Sequence, residues 1–267
     1  MIGEIVDWYL GKSIITSIDE ENGKYMYNFK HLMHDLPGRA SEESLDEIKE
    51  KGTSKLYEIK YPSVLIVDNF YKNPDKIRQT ALSLQFGDDL RHYKGKRSHT
   101  RFLLPGLKED FEKLLGRKIT RWLEHRANGV FQITKYTDPL VWHSDQQSYA
   151  AAIYLTPHAP AGAGTSFWKD IKYGCRHPPF HSSEYNRFEN DNQRLEAQKE
   201  IYSEYNLLHG DNWELVDRVG AIYNRLVFWD AKMIHSASSY ESFITDEPNS
   251  EKDNSRLVQL FFFDIEQ

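Results

Sequence analysis

A single cysteine, Cys175, stands in 267 residues. One thiol cannot close an intrachain disulfide, so the fold must rest on its core, and a reducing compartment is expected. No apolar run approaches the roughly 20 residues that a membrane-spanning helix needs. The opening MIGEIVDWYLGKS is acidic and has no basic segment leading into an apolar one, so it does not read as a secretory signal. Positive charge is not in excess either: the formal net charge is −6, which provides no basic field for nucleic acid. A cytoplasmic protein that binds neither nucleic acid nor membrane is expected, with its oligomeric state left open. No internal repeat or low-complexity tract is evident.

What is present is apolar and aromatic. Hydrophobic residues make up 39% and aromatics 13%, enough for one sizeable packed core. Residues 1–60 are mixed and polar, with an acidic stretch over 41–50 and no strong strand pattern. They are expected to be an N-terminal extension packing on the main body, which runs over 61–267. The run SVLIVDNFY reads as a buried strand. Asn73, Pro74 and Asp75 then open a helix as cap, first-turn proline and first-turn acid, with Ile77, Ala81 and Leu84 at helical spacing. Leu107, Phe111, Leu114 and Leu115 mark a second helix that Gly116 can end, and Ile119, Trp122 and Leu123 suggest a short continuation.

From Gly129 the pattern turns to strands. GVFQITKYT, PLVWHSD, YAAAIYLTP, GTSFW, YNRLVFWD and RLVQLFFFD are short runs separated by polar segments. A charged stretch over 182–206, helical in its second half, interrupts them as part of an insertion at about 171–212. Helices followed by a β-rich half predict an α+β fold, a barrel or sandwich backed by helices.

His143 and Asp145 are two positions apart in VWHSD. On a strand, both side chains would point to one face and converge on one point. His235, in AKMIHSAS after an apolar strand and a turn, can complete the set. Two histidines and one carboxylate on one face leave positions open for a co-substrate and oxygen, which suits non-haem iron(II). Arg256 heads a strand face formed with Val258, Leu260 and Phe262. A cation there needs an anion, and a guanidinium fork suits a carboxylate.

The order WHSD, AAIYLTP, AGAGTSFWKD, NRLVFWDAKMIHSAS and SRLVQLFFFD resembles the iron(II)- and 2-oxoglutarate-dependent oxygenases, closest to their prolyl-hydroxylase-like branch. VDNFYKNPDKIRQTAL ahead of it is similar to the opening of many uncharacterised bacterial and phage members. The resemblance covers 63–264 and implies a double-stranded β-helix, a jelly-roll or cupin-like barrel. It implies that His143, Asp145 and His235 hold Fe(2+) and that Arg256 salt-bridges the 2-oxoglutarate carboxylate. It also implies that Tyr154 helps hold 2-oxoglutarate, and that Gly162, Gly164 and Thr165 form a structural turn. The implied reaction couples 2-oxoglutarate and O2 to hydroxylation of an amino acid, a peptide side chain or a small metabolite, releasing succinate and CO2. Two spacings depart from the pattern: Asp145 to His235 is long, and so is His235 to Arg256, where 245–255 reads as a loop insertion. Arg225 is the alternative cation.

Other clusters and classes stay open. Cys175, His177 and His181 in CRHPPFH are a weak zinc pattern with only one thiol, and their loop is either a lid or structural. His31 and His34 read as surface or packing residues. The basic run RHYKGKRSHTR, 91–101, is a solvated loop or a patch for an anionic substrate group. Trp142, Trp168, Trp229 and Tyr240 are candidates for a pocket or for the core. A cupin-like metal hydrolase or isomerase, and a non-catalytic barrel module, are the competing classes.

Overall fold

The computed structural model describes residues 63–88, 95–240 and 255–266, together with the course of five strands before residue 63. Most of the acidic stretch over 41–50, His34, the first part of the basic run and most of the 245–255 loop lie outside the described residues.

The chain divides into two compact units, Met1–Pro62 and Ser63–Gln267. The first contains a five-stranded antiparallel sheet in the order β4-β3-β2-β1-β5, built from β1 (Ile5–Trp8), β2 (Gly11–Glu21), β3 (Lys24–His31), β4 (Pro37–Ser41) and β5 (Leu56–Tyr57). A strand-free reading of this segment is therefore corrected. GKSIITSIDEE and KYMYNFKH carry too many polar residues to show clean apolar alternation, and the cross-strand pairing that defines them is invisible in one strand alone.

The second unit is β-rich, with antiparallel sheets and few helices. Its large sheet has the order β6-β14-β11-β16-β10-β8-β7. The strands are β6 (Val64–Val67), β7 (Phe86–Asp88), β8 (Lys96–Ser98), β10 (Val130–Thr134), β11 (Tyr149–Tyr154), β14 (Leu226–Asp230) and β16 (Arg256–Ile265), while β9 (Ile119–Arg121) pairs with the far end of β16. A small sheet holds β13 (Trp213–Val219), β12 (Thr165–Asp170) and β15 (His235–Ala237) in that order.

Alternation along the large sheet sorts its side chains into two layers. Tyr149, Ala151 and Ile153 of β11, Leu226 and Phe228 of β14, and Leu257, Phe261 and Phe263 of β16 share a core with two helices, α1 (Pro74–Ser83) and α2 (Leu107–Leu115). The intervening Ala150, Ala152, Val227, Trp229 and Val258 face Phe167 and Val219 of the small sheet. The alanines are small, and Ala152 borders a cavity between the layers.

Asn73 caps α1 through Lys76 N–H, with Pro74 at its first position. Gly116 ends α2 in the left-handed region, at φ 65°. Leu114, expected on the inner face of α2, is exposed, and the expected continuation through Ile119 is the strand β9, with Trp122 packed on Phe111 and Leu123 in solvent. Phe111 is the centre of the outer core. It is fully buried, with ring centroids 4.6 Å from Phe228 and 5.0 Å from Phe261, both edge-on. Phe111→Ala is expected to cost about 3–5 kcal/mol of stability, measured as a lowered urea midpoint at an unchanged slope.

The insertion contains α3 (Asp191–Ile201) and α4 (Glu204–Leu208), in the helical half of the charged stretch. Ala197 and Ile201 pack with Trp142, Cys175, Trp213 and Ile234 as a third core, on the side of the small sheet that carries the insertion. Among the described residues no helix is long and apolar enough to cross a membrane.

Candidate metal centre

His143 lies in an extended segment before β11, and an antiparallel bridge ties it to His235. The His143 N–H donates to the His235 carbonyl at 3.0 Å, and the His235 N–H returns the bond at 2.8 Å. Two residues on, the Asp145 N–H donates to the Ala231 carbonyl at 2.7 Å. The strand expected over PLVWHSD is thus a single bridge in an otherwise irregular segment. These backbone bonds do what a longer strand would have done, since they fix both side chains relative to His235. The insertion braces the segment from behind: the Trp142 N–H donates to the Leu207 carbonyl at 3.1 Å, and Ser144 Oγ and the Tyr202 hydroxyl share a hydrogen bond of 2.7 Å.

The three side chains converge. One ligand atom from each of His143, Asp145 and His235 lies within 4.8 Å of the other two, and among the described residues no other group of three or more metal-ligating side chains does so. His143 Nδ1 sits 3.1 Å from the Val141 carbonyl, and His235 Nδ1 sits 2.8 Å from the Met233 carbonyl. A carbonyl only accepts, so both Nδ1 atoms donate, and both Nε2 atoms are turned toward Asp145. His235 Nε2 is 3.4 Å from Asp145 Oδ2, and His143 Nε2 is 3.9 Å from Asp145 Oδ1. Asp145 Oδ2 is buried without a hydrogen-bond donor. A buried carboxylate oxygen left without a donor is costly, and a cation held between it and the two Nε2 atoms would offset that cost.

Charge states agree with this arrangement. Burial, with the neighbouring His235 as the second cause, lowers the His143 pKa to about 4, so the ring is neutral near pH 7. Burial works to raise the Asp145 carboxyl, but His235, His143 and the Arg97 charge outweigh it and hold the group below its ordinary value. Two imidazoles and one carboxylate are the donor set of a facial triad, a set that suits iron(II). The Nδ1 bonds to carbonyls are the outer partners that orient metal-binding histidines.

The triad opens onto a cavity of about 470 Å³. Arg256 lines it and is only 6% exposed. Its guanidinium donates to the carbonyls of Ala163 at 3.2 Å and Gly164 at 3.4 Å, and lies 5.6 Å from the Tyr154 ring centroid and 6.0 Å from that of Tyr240. Among the described residues it has no carboxylate partner. Gly164 has no room for a side chain against the neighbouring strand, because a Cβ there would stand 1.8 Å from the Val219 carbonyl oxygen. Tyr154 is buried beside Arg256 rather than in the cavity wall, and its hydroxyl is bonded to Thr165 Oγ1 at 2.7 Å. Arg225 is committed elsewhere: Asp68 receives it at 2.6 and 2.9 Å. Trp229 and Tyr240 line the cavity, whereas Trp142 and Trp168 pack edge-on at 5.7 Å beneath the insertion. Arg97 and Gln132 also line it, and neither stands out in the sequence as a site residue. Their only sequence trace is the basic run around Arg97.

CRHPPFH does not assemble a second metal site. Cys175 is fully buried among Trp142, Ile201, Trp213 and Ile234, and burial, aided by the Glu184 charge, pushes its thiol up to about 12. His177 faces the carboxylates of Glu184 at 3.2 Å and Asp230 at 3.7 Å, and stacks on His181 at 4.4 Å. Cys175→Ser is expected to keep the iron content of the parent and to bind no zinc in either form, with some loss of stability from a hydroxyl in an apolar cluster. Elemental analysis of both proteins checks this.

No curated protein matches the chain. A solved structure of the non-heme iron oxygenase OrfP in complex with Fe is similar at 12% identity and a TM-score of 0.33, covering 72% of this chain and 78% of that one. The model of the family described as "Family of unknown function (DUF6445)" matches residues 53–262, and the chain belongs to that family.

Proposed function

We propose that the protein is a non-haem iron(II)- and 2-oxoglutarate-dependent dioxygenase, a hydroxylase built on a double-stranded β-helix. The reading rests above all on one observation: two bare imidazole nitrogens and a buried, donor-less carboxylate oxygen converge at the wall of a cavity. His143, Asp145 and His235 would hold Fe(2+) from one side, leaving the cavity side for the co-substrate and O2. Such an ion, when bound, supplies the site for oxidative decarboxylation of 2-oxoglutarate to succinate and CO2, coupled to hydroxylation of the substrate.

The chain's own residues have separate parts. Asp145 offsets one of the ion's two charges, so the centre keeps a net positive charge that attracts the 2-oxo acid end of the co-substrate. The Val141 and Met233 carbonyls hold the imidazoles in the metal-binding tautomer. Arg256, a permanent cation in the same cavity, takes the distal carboxylate, with Tyr154 packed beside the guanidinium and braced by Thr165. Trp229 and Leu260 keep the wall between these anchors apolar.

The test is co-substrate turnover with air-equilibrated, iron(II)-loaded protein. Succinate should form from 2-oxoglutarate, faster when a library of amino acids, peptides and small metabolites contains the substrate. Iron binding without succinate formation under any condition would favour a metal hydrolase or isomerase. Intact folding without iron binding would favour a binding module.

A further inference from the structure

Trp229 is apolar wall except at one atom. The residue is only 4% exposed and lines the cavity, and its indole Nε1 is buried with no acceptor among the described residues. An indole nitrogen only donates, and a buried indole N–H normally finds a partner. Two other tryptophans show the normal case: Trp168 Nε1 donates to Ser236 Oγ and Trp213 Nε1 to the Asn206 carbonyl, both at 2.8 Å. Trp142 Nε1 also has no acceptor among the described residues, but Trp142 packs beneath the insertion and is not part of the cavity wall. The rings beside Trp229 cannot serve. Phe167, edge-on at 6.4 Å, has no acceptor atom. His235, edge-on at 5.1 Å, turns Nδ1 to the Met233 carbonyl and Nε2 toward Asp145. The acceptor is then supplied by what fills the cavity.

Register places this donor at the triad end of the cavity. Trp229 pairs with Ala150, and Ala150 pairs with Phe262, so the three share one row across the large sheet. Arg256 begins the strand that carries Phe262, and at about 3.3 Å per residue the two strand positions are on the order of 20 Å apart. Arg256 therefore serves one end of the cavity, and Trp229, packed on His235, serves the other. We propose that the Trp229 indole N–H donates to the carboxylate at the 2-oxo acid end of the co-substrate, which makes Trp229 a binding residue for that ligand. This rests on the dioxygenase reading for the identity of the co-substrate and for which end lies at the triad. A carboxylate fits this donor because a hydrogen bond to a charged acceptor is shorter and stronger than one to a neutral acceptor. The indole is already packed between Phe167 and His235, so little side-chain freedom is lost when the ligand arrives. A donor fixed in this way also favours one orientation of the 2-oxo acid over others.

The full-length protein, loaded with iron(II) under nitrogen, is titrated with 2-oxoglutarate and with pyruvate, which has the 2-oxo acid end and lacks the distal carboxylate. Binding is read from the metal-to-ligand charge-transfer band and from the rise in thermal midpoint, neither of which needs turnover. Trp229→Phe removes the N–H, and benzothienylalanine in place of Trp229 removes it while keeping the bicyclic shape. Both proteins should hold the parent's iron content and bind both ligands about ten- to one-hundred-fold more weakly. Arg256→Ala, by contrast, should weaken 2-oxoglutarate and leave pyruvate binding as in the parent. The benzothienylalanine protein should also keep or raise the ligand-free thermal midpoint, because a buried donor without an acceptor is gone, whereas loss of a purely structural indole contact would lower it. The proposal is overturned if the benzothienylalanine protein binds 2-oxoglutarate as the parent does, or if it loses affinity for 2-oxoglutarate and none for pyruvate. Failure of 2-oxoglutarate to bind the parent's iron complex would count against the dioxygenase reading and the ligand named here together. An unchanged variant beside a parent that binds would overturn the Trp229 assignment alone.

Discussion

Asp145→Ala, His143→Ala and His235→Ala should each lower iron(II) affinity by at least about 100-fold and remove 2-oxoglutarate turnover. Outer-partner changes at metal sites already cost about 10–100-fold, and these variants remove a ligand itself. Asp145 is the most sensitive of the three because it brings the only negative charge. A second readout separates loss of the ion from loss of the fold. Iron in excess stabilises the parent by mass action, about 2.7 kcal/mol at one hundred times the dissociation constant. Asp145→Asn should lose this iron-dependent rise in thermal midpoint, while its metal-free midpoint stays level or climbs, because the donor-less carboxylate oxygen facing His235 is gone. Turnover at the parent's rate in any one of the alanine variants would remove that residue from the metal's ligand set.

Arg256→Ala should leave iron affinity near the parent's and weaken 2-oxoglutarate binding by about thirty-fold to several thousand-fold. That range corresponds to roughly 2–5 kcal/mol for truncating one partner of a buried charge pair. The Arg256 fork is held by the Ala163 and Gly164 carbonyls and by the faces of Tyr154 and Tyr240, so its direction is set before any ligand arrives. Arg256→Lys should recover only part, since an ammonium cannot make two parallel bonds to one carboxylate and has no planar group to stack on the tyrosines. A 2-oxoglutarate titration of each iron(II) protein without oxygen checks both variants. Unchanged affinity in Arg256→Ala would separate this arginine from the co-substrate.

How much of this was legible depended on what each residue's signal required. The inner strands β11, β14 and β16 are apolar on both faces, so their runs stand out from the chain without any partner being known. The Asn73–Pro74 start and the Gly116 stop are local chemistry and were equally readable. His143 and Asp145 were read from their two-residue spacing, His235 from its place after an apolar strand and a turn, and Arg256 from a cation heading an apolar strand face; the structure brings the first three together and puts Arg256 in the same cavity. The strands β7, β8 and β13 were missed. The first two have three residues each, and WELVDRV at the end of the small sheet's order carries charges on its open face. Arg97 belongs to that group. Inside a basic run it looks like any solvated cation, and only the Gln132↔Arg97 register reveals which face it occupies. VWHSD was read as a strand. The convergence of its ligands comes instead from long-range backbone bonds to His235 and Ala231, which no local pattern encodes.

The most direct test of the central claim is a pair of titrations without oxygen, first iron(II) into the metal-free protein and then 2-oxoglutarate into the iron complex. The expected result is one iron per chain, followed by a visible metal-to-ligand charge-transfer band that saturates at one 2-oxoglutarate per iron and is absent when either component is omitted. A protein that takes up no iron, or an iron complex in which 2-oxoglutarate produces no such band, would contradict it.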